Sequence, residues 1–418
     1  MTLVLTIIKL IIVLAVVATI HEFGHFIIAK LFKMKVDEFA IGFGKAIFQK
    51  KYKDTTYSLR WIPLGGYCAL DGEDKESDDE NSFAKKAPWK RILVLLAGAT
   101  FNAILAASIF LAVNFKYDTF TTEIKSLKED SILIEAGIQE GDIITKIGDT
   151  KTYIYQDIML FNDLDEKDIV VEYLRDGKKN KTVLKDAIKK KGYMGVYFDT
   201  TKLDENGNVL TYVELAEPGK PASDAGIKPE DKIIKVNGNN VKFSSEVTSI
   251  ISQNAEKEVE VVVLRGDEEK TFKVTPKSQE YIDFGITDVV STETNLKYSY
   301  FKSRSSIKQI IGSYVDLFKG KVEVTQLSGI VGIGETISRT ESLIEFLNMM
   351  GVISLAVGVA NILPFPPLDG GKIVLVLIEM ITRKKVSYKA EAIISYIGFG
   401  LLIALTIYVT INDIIRII

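Results

Sequence analysis

Cysteine and histidine are scarce in this chain of 418 residues, which has one cysteine and two histidines. The single thiol, Cys68, excludes an intramolecular disulfide, so domains outside the cytoplasm must be held together by their cores alone. Neither histidine lies near Cys68 in the sequence, which disfavours a catalytic cysteine. The chain also has no large excess of positive or negative charge. Its net charge of −3 gives no basic footprint for the whole chain and argues against nucleic acid as a partner.

Apolar and charged residues are both plentiful, at 47% and 26% of the chain, and the mean hydropathy is +0.16. A high share of apolar residues and a high share of charged residues can occur in one chain if the apolar residues are concentrated in separate segments. A membrane-spanning helix needs about 20 mostly apolar residues. Runs of that kind occur at 3–29, 92–115, 343–363 and 392–411. The first is too long for a signal-peptide core and lacks a small-residue cleavage site after it, so we predict a retained helix.

A shorter apolar run, Ile373–Ile381, follows a segment rich in proline and glycine. We expect it to continue the third helix beyond a break. Irregular backbone at membrane depth survives only where protein or a water-filled cavity satisfies its polar groups. The break therefore suggests a functional site, with a simple kink as the alternative. Its residues are Pro364, Pro366, Pro367, Gly370 and Gly371.

Lysine and arginine residues near the ends of the apolar runs predict the orientation in the membrane. The loop between the first two runs and the loop between the last two are both rich in these residues and are expected in the cytoplasm. The long segment 116–340 and both termini then lie outside. The predicted fold class is a polytopic α-helical membrane protein with four transmembrane helices and two extracytoplasmic β-rich domains.

The long outside segment contains a two-copy repeat. The sequence around Ala136, Ala-Gly-Ile-Gln-Glu-Gly-Asp, matches the sequence around Ala225, Ala-Gly-Ile-Lys-Pro-Glu-Asp. Val171–Gly177 matches Val261–Asp267 at nearly the same offset. Each copy has short strands of alternating apolar residues with turn residues between them. The pattern resembles PDZ domains of bacterial membrane proteases, which implies binding of extended peptides at a sheet edge. Two structural modules without a ligand are the alternative.

These observations predict a division of the chain into five parts. The parts are 1–115 (two helices and β-hairpin loops), 116–200 (first PDZ-like domain), 201–288 (second PDZ-like domain), 289–340 (amphipathic linker) and 341–418 (C-terminal helices). Within the linker, the amphipathic stretch Phe301–Phe318 is expected to lie on the outer membrane face or to form an ordinary helix on the soluble side.

Both histidines of the chain fall in one motif of the form H-E-x-x-H, His21-Glu22-Phe23-Gly24-His25. Residues i and i+4 lie on the same face of a helix, so two imidazoles at this spacing can bind one zinc ion. Glu22 is then placed to take a proton from the zinc-bound water. A His-Glu-His cluster inside an apolar helix is costly in lipid and marks a functional site. Packing or interfacial histidines are the alternative.

A catalytic zinc ion usually has three protein ligands and one open position. The chain offers no third histidine, so an acidic residue within the membrane is required. Asp369, at the proline-rich break, is the preferred ligand. Glu345 is the other candidate, although its place at a helix start already gives its carboxylate a favourable dipole interaction.

H-E-F-G-H near the N-terminus and N-x-L-P-x-P-x-L-D-G near the C-terminus together resemble the site-2 proteases, intramembrane zinc metalloproteases. The tandem repeat resembles the regulator of sigma-E protease branch of that family. The resemblance extends over most of the chain. The matching segments are His21–His25, Phe39–Gly44 and Ile62–Tyr67 (membrane-associated β-hairpin loops), Ala97–Asn102 and Asn361–Gly371.

The resemblance implies that His21, His25 and Asp369 bind Zn2+ and that Glu22 is the catalytic base. Two departures from the family pattern lie away from the proposed metal ligands. Gln326-Leu-Ser-Gly-Ile330 stands where the family usually has Asn-Leu-Ser-Gly-Pro, and Ala99-Thr100 stands where many members have Gly-Pro.

Asn102 and Asn361 are implied to bind substrate, through its backbone or the developing oxyanion. Helix–helix hydrogen bonding is an equal alternative for both.

The activity implied is cleavage of transmembrane segments of single-pass substrates, such as anti-sigma factors and signal-peptide remnants, in regulated intramembrane proteolysis. The implied location is a bacterial inner membrane, with the lipid bilayer and transmembrane substrates as partners. The PDZ-like pair is implied to act as a size filter. A receptor or scaffold with a vestigial motif is one alternative, disfavoured by the intact Glu22. A transporter is another, disfavoured by the absence of inverted repeats.

Overall fold

The computed structural model describes residues 3–73, 75–161, 168–217, 219–320, 329–340, 342–384 and 386–417. The segment Gln326-Leu-Ser, in which Gln326 departs from the family pattern, lies outside these ranges. The helices are α1 Leu3–Leu31, α2 Pro88–Asn114, α3 Ile132–Glu135, α4 Tyr155–Met159, α5 Pro221–Ala225, α6 Ser244–Gln253, α7 Leu296–Phe318, α8 Ile330–Ser338, α9 Leu343–Ile362, α10 Asp369–Thr382 and α11 Tyr388–Ile417, with a 3-10 turn at Phe83–Lys85.

The strands fall in two regions of the sequence. The first two precede α2, and the others lie between α2 and α7. They are β1 Val36–Tyr52, β2 Thr55–Leu70, β3 Thr119–Leu127, β4 Ile143–Ile147, β5 Thr150–Lys151, β6 Ile169–Arg175, β7 Lys178–Leu184, β8 Ile188–Tyr193, β9 Val196–Phe198, β10 Val213–Ala216, β11 Lys232–Val236, β12 Asn239–Asn240, β13 Val259–Arg265, β14 Glu268–Val274, β15 Lys277–Ile282 and β16 Ile286–Thr292.

The chain forms two compact units, Met1–Asp118 with Glu293–Ile418, and Thr119–Thr292. In the part of the first unit that the structure describes, four helices are long and apolar enough to cross a membrane: α1, α2, α9 and α11. They coincide with the four apolar runs. The proline-rich segment interrupts the helix between α9 and α10, as expected, because proline lacks the backbone N–H of a helix interior.

Helix α2 lies at the centre of the first unit and packs against α1, α7, α9 and α10. Small residues allow its backbone to approach its neighbours. A Cβ at Gly24 of α1 would lie 2.5 Å from the Ala97 carbonyl oxygen, and a Cβ at Gly358 of α9 would lie 3.0 Å from the Ala99 carbonyl oxygen. Close helix contacts of this kind are typical of membrane proteins, because packing rather than water exclusion drives association in lipid.

Helix α7 contains the amphipathic stretch and packs along α2 and α9. The Ser299 hydroxyl donates to the Leu111 carbonyl oxygen at 2.6 Å, and the Tyr314 hydroxyl donates to the Ala356 carbonyl oxygen at 3.0 Å. The polar side of this helix is thus partly used in contacts with two candidate membrane spans.

Strands β1 and β2 form a long antiparallel hairpin that folds back on itself. The beginning of β1 pairs with both ends of β2, since Phe39 is opposite Cys68 and also opposite Tyr57. The β1 residues from 46 onward pair with 55–60 near the turn. Many large apolar side chains of the hairpin are exposed, among them Phe43, Phe48, Leu59, Trp61 and Ile62. An exposed apolar surface of this kind marks contact with a membrane or another chain.

The second unit contains two β-rich modules, each with its own core. The larger sheet has the order β16-β3-β4-β6-β7, and the other has the order β12-β11-β13-β14. The repeat is visible in the contacts. Arg175 binds Asp142 through two hydrogen bonds of 2.8 and 2.7 Å, and Arg265 binds Asp231 in the same way at 2.7 and 2.8 Å. Such bidentate pairs fix both the distance and the orientation of the two groups.

The two modules are nested in the sequence. Strand β16 pairs with β3, and Phe284 lies in the core of the first module with Ile124 and Leu184. Met194 lies in the core of the second module. The first module is therefore built from two separate segments with the second module inserted between them. This arrangement differs from the consecutive ranges 116–200 and 201–288 that the repeat suggested. The repeated sequences are the same in both arrangements, so the repeat does not reveal that a strand of the first module follows the second module in the chain.

Candidate metal centre

Helix α1 presents both histidines on one buried face. His21 and His25 are each 7% exposed, and their Nε2 atoms lie 3.1 Å apart. The His25 Nδ1 atom lies 2.8 Å from the Val94 carbonyl oxygen of α2. A carbonyl oxygen only accepts hydrogen bonds, so Nδ1 carries the proton and Nε2 of the neutral ring has a free lone pair. A hydrogen bond at the outer nitrogen is the usual support for a metal-binding imidazole.

Asp369 is the first residue of α10 and reaches both imidazoles. Its Oδ2 atom lies 3.1 Å from His21 Nε2 and 3.3 Å from His25 Nε2. Among the described residues, these three side chains form a group with the spacing of metal ligands. Ligand atoms bound at about 2.0–2.1 Å around a tetrahedral zinc ion are about 3.3 Å apart. The observed distances therefore fit one zinc ion.

The chemistry of the donor atoms also indicates a metal-binding site. Asp369 Oδ2 is buried, has no hydrogen-bond partner among the described residues, and faces the Nε2 atoms of both histidines. A carboxylate oxygen and imidazole lone pairs that converge in a buried space repel one another unless a cation lies between them. The site is therefore suited to a divalent cation with nitrogen and oxygen ligands.

Glycine residues make room for the site. A Cβ at Gly98 of α2 would lie 2.5 Å from His25 Nε2 and 2.7 Å from His21 Nε2. A Cβ at Gly370 would overlap the carbonyl oxygen of Ile362, and a Cβ at Gly371 would overlap the backbone of Pro366. The glycines after Asp369 thus allow α10 to begin directly against the break, which carries Asp369 toward α1.

Glu22 lies beside the metal ligands and is held by the hairpin. The backbone N–H of Cys68 in β2 donates to Glu22 Oε2 at 3.0 Å. This contact holds one carboxylate oxygen of Glu22 against the hairpin. Sequence reasoning missed the contributions of the Cys68 amide, the Val94 carbonyl and Gly98. A run of small residues around Gly98 in an apolar helix was the one available signal for close approach.

The remaining candidates lie apart from the three ligands. Asn102 is one turn beyond Gly98 on α2. It is fully buried, and its side-chain oxygen and nitrogen have no partner in the described part of the chain. Asn361 is half-buried in the last turn of α9. Glu345 forms a capping box with Ser342 at the start of α9 and does not belong to the metal-binding group.

The arrangement is the one expected of a metallopeptidase, with three candidate metal ligands on helices of the unit that contains the four long apolar helices. The model of Peptidase family M50 matches residues 9–405, and the chain belongs to that family. The members of this family are zinc metalloproteases of the site-2 protease type. The protein is accordingly a membrane metalloprotease with Zn2+ as its cofactor.

Relatives of similar length agree with this assignment. A Thermotoga maritima protein named "Putative zinc metalloprotease" is 28% identical, with 98% of this chain and 99% of the relative covered. An Enterococcus faecalis protein named "Probable protease eep" is 30% identical, with 98% and 99% covered. Among solved structures, the PDZ domain of HtrA3 bound to a phage-derived ligand is 25% identical over 22% of this chain and 91% of that domain, with a TM-score of 0.19.

Proposed function

We propose that the protein cleaves peptide bonds within the membrane-spanning segments of single-pass substrates. The observation that carries this proposal is the position of the metal-binding group. His21 and His25 lie in the second half of α1, a helix of 29 residues that is long and apolar enough to span a bilayer. The third ligand follows a break between two further apolar helices. A hydrolytic site built from such helices acts on peptide bonds at membrane depth.

In this proposal His21, His25 and Asp369 hold the zinc ion, which supplies Lewis acidity and lowers the pKa of water toward neutrality. Glu22 accepts the proton of the attacking water at its carboxylate and transfers it to the leaving amine. The Cys68 N–H keeps the Glu22 carboxylate in place during both transfers.

The two asparagines are assigned to the substrate in the same proposal. The buried side-chain donor and acceptor of Asn102 have no partner in the described part of the chain and lie one turn from Gly98, which suits a hydrogen bond to a substrate backbone or oxyanion. Asn361 is assigned the same kind of role from the last turn of α9.

The hairpin is proposed to present the substrate. A helical peptide bond is shielded by its own hydrogen bonds, so a transmembrane substrate must unwind before it is cut. The segment of β2 around Cys68 pairs with β1 on one side and directs an amide toward Glu22 on the other. An extended substrate can add to such an edge as a further strand. The substrate classes that we assign by resemblance are anti-sigma factors and signal-peptide remnants.

The test compares wild type with Glu22→Gln in proteoliposomes that contain a reporter with one transmembrane segment. Glu140→Gln is the matched control, because Glu140 is exposed in the second unit. Wild type and control should cut the reporter, whereas Glu22→Gln should be slower by about 10²–10⁴-fold with its zinc retained. Mass spectrometry of the products locates the cut. A cut that falls only outside the apolar segment contradicts the intramembrane proposal.

We also propose that the β-rich unit lies outside the cytoplasm with both termini and acts as a size filter for substrates. The segment directly before residue 119 and the segment directly after residue 292 contact each other. Lys302 Nζ donates to the carbonyl oxygens of Tyr117 and Asp118 at 2.7 and 2.8 Å. The Thr294 hydroxyl also donates to the carbonyl oxygen of Tyr117. Residues 119–292 can therefore be replaced by a short linker. The deletion should permit cleavage of substrates with large outside domains. Continued resistance of these substrates, while truncated ones are cut, contradicts the filter.

A further inference from the structure

The start of β1 carries a carboxylate that joins three segments of the hairpin. Residues 36–41 lie between two segments of β2, since Ala40 is opposite Tyr67 on one side and opposite Ser58 on the other. Glu38 Oε2 accepts from the Tyr67 hydroxyl at 2.7 Å, and Glu38 Oε1 accepts from the Ser58 hydroxyl at 2.5 Å. One side chain of the central segment thus binds both neighbouring segments.

Arg60 adds a charged contact to this carboxylate. Its Nη2 atom donates to Glu38 Oε1 at 2.7 Å, and its Nη1 atom donates to the Gly44 carbonyl oxygen at 2.5 Å. The side chains of Arg60 and Glu38 are each 19% exposed, so water screens the pair only weakly. Burial alone would raise the pKa of Glu38, but the hydrogen bonds from Ser58, Tyr67 and Arg60 outweigh it and lower that pKa. The carboxylate is therefore ionised at neutral pH and accepts from all three side chains.

The ring of Tyr67 has two further neighbours. The Arg60 Cζ atom lies 5.4 Å from the ring centroid, a distance typical of a cation–π contact. The Phe43 ring centroid lies 6.5 Å away, with the two ring planes 22° apart. Hydroxyl and ring are both held, so these contacts restrict the side chain of Tyr67 and the strand segment that carries it.

The opposite face of the hairpin sheet packs on α1. Successive residues of a strand point to opposite faces, so Phe39 points away from the side that carries Glu38. The Phe39 ring lies 5.1 Å from the Phe26 ring of α1, and the Tyr57 ring lies 5.9 Å from the same ring. The sheet therefore has an apolar face against α1 and a hydrogen-bonded polar face away from it.

The residue after Tyr67 contacts the proposed catalytic base. The Cys68 N–H donates to Glu22 Oε2 at 3.0 Å. The carbonyl group of Tyr67 and the N–H of Cys68 belong to one planar peptide unit, so the backbone of Tyr67 sets the direction of that N–H. A displacement of Tyr67 therefore changes the hydrogen bond that orients the Glu22 carboxylate.

We propose that Glu38 and Tyr67 are positioning residues for the reaction, because their hydrogen bond fixes the strand segment whose Cys68 amide holds Glu22. This inference rests on the proposed protease function, in which Glu22 transfers protons. The role requires no contact of Glu38 or Tyr67 with the substrate or with the metal ion. Misplacement of a catalytic group by about 1 Å can lower a rate by about 10²-fold, so a modest shift of Glu22 has a measurable effect.

The first test removes one hydroxyl group. Tyr67→Phe keeps the ring and loses the hydrogen bond to Glu38, whereas the matched control Tyr57→Phe removes a hydroxyl from the face toward α1. The full-length variants are assayed in proteoliposomes with the transmembrane reporter. Tyr67→Phe should lower kcat by about tenfold and leave KM and zinc content unchanged. Tyr57→Phe should cut the reporter as wild type does.

A second variant acts on the other partner of the same hydrogen bond. Glu38→Gln keeps the shape of the side chain and removes the charge that binds Arg60. It should also lower kcat by about tenfold with zinc retained. A raised KM with unchanged kcat in either variant assigns the residue to substrate binding and overturns the inference.

A double variant tests whether Tyr67 acts through the Cys68 amide. In a Cys68→Pro background the hydrogen bond to Glu22 is already lost. Adding Tyr67→Phe should then change kcat by less than about twofold, because residues that act through one contact are not additive. A full further tenfold loss contradicts this route.

Hydrogen–deuterium exchange gives a result that needs no proteolysis, so it separates failure of this inference from failure of the proposed function. Amides of residues 66–70 should exchange faster in Tyr67→Phe than in wild type, and the control Tyr57→Phe should match wild type. Exchange of these amides that is the same in Tyr67→Phe and wild type overturns the inference.

Discussion

Gly98 of α2 faces the imidazole of His25 so closely that a β-carbon there would lie 2.5 Å from the Nε2 atom. The same position is 2.7 Å from His21 Nε2. The absence of a side chain at Gly98 thus leaves open the space beside the two Nε2 atoms of the candidate metal centre.

Replacing Gly98 tests this relationship. Gly98→Ala should abolish zinc binding and proteolysis, since the added methyl group occupies the space at the two Nε2 atoms. Gly400→Ala is the matched control, because Gly400 also lies in a long apolar helix and a Cβ there would meet nothing within 4 Å. Zinc content of the purified protein, measured by mass spectrometry, checks the prediction. Normal zinc content in Gly98→Ala contradicts it.

A second pair of variants distinguishes the two acidic residues that the sequence offered as third ligand. Asp369→Asn should lower zinc affinity by more than about 100-fold, since loss of a direct ligand exceeds the usual effect of an outer partner. Glu345→Gln should bind zinc as wild type does, because Glu345 caps α9. Competition with a fluorescent zinc chelator measures both affinities. Equal affinities for the two variants are inconsistent with the proposed ligand set.

The hydrogen bond from Cys68 to Glu22 can be tested without changing the catalytic residue. Cys68→Pro removes the backbone N–H that Glu22 accepts and should lower the cleavage rate by about 10–100-fold. Cys68→Ala keeps the N–H and removes only the thiol, so its rate should stay near that of wild type. Both variants should keep their zinc. An equal loss of rate in the two variants assigns the effect to the thiol instead of the amide.

Acid should release the loop at Gly285. Partial burial alone would raise the pKa of Asp283, but the Gly285 N–H and the Lys128 and Lys189 ammonium groups outweigh it and lower the pKa below its ordinary value. A lowered pKa contributes stability that is complete above the unfolded value of about 3.9 and is lost as the pH falls through the folded value. The loop should therefore become less ordered as the pH falls below about 4.

Hydrogen–deuterium exchange of residues 281–287, corrected for the intrinsic effect of pH, measures this loss. Protection should fall with pH in wild type and in Asp267→Asn. It should be lower and independent of pH in Asp283→Asn, which has no carboxylate to protonate. Wild-type protection that does not change down to about pH 2 excludes this role of Asp283.

Much of the architecture was predictable from local patterns. The four long apolar helices coincide with four apolar runs, because a helix that crosses a membrane needs about 20 mostly apolar residues in succession. The family assignment and the zinc cofactor predicted from His21–His25 and the C-terminal motif are confirmed by the match to Peptidase family M50 and by the zinc metalloprotease relatives. The roles of individual site residues and the orientation in the membrane stay predictions.

Other features had no local signal. Nested modules and consecutive modules contain the same repeated sequences, and tertiary contacts such as the pairing of β16 with β3 distinguish them. The Cys68 amide and the Val94 carbonyl act through backbone atoms, which every residue has, so residue type carried no information about them.

The sequence by itself determined that two histidines and a glutamate share one apolar helix, because a spacing of four residues is a property of the helix alone. It also determined that the third long apolar helix must end at the prolines before Asp369, because proline lacks the backbone N–H of a helix interior. Only the tertiary structure brings the Asp369 carboxylate to the two imidazoles, the Cys68 amide to Glu22 and the Val94 carbonyl to His25. Cys68 lies 46 positions from Glu22 and Val94 lies 69 positions from His25, and Asp369 is much farther along the chain from both histidines. The distances between these groups depend on how α1, β2, α2 and α10 pack, which no local pattern specifies.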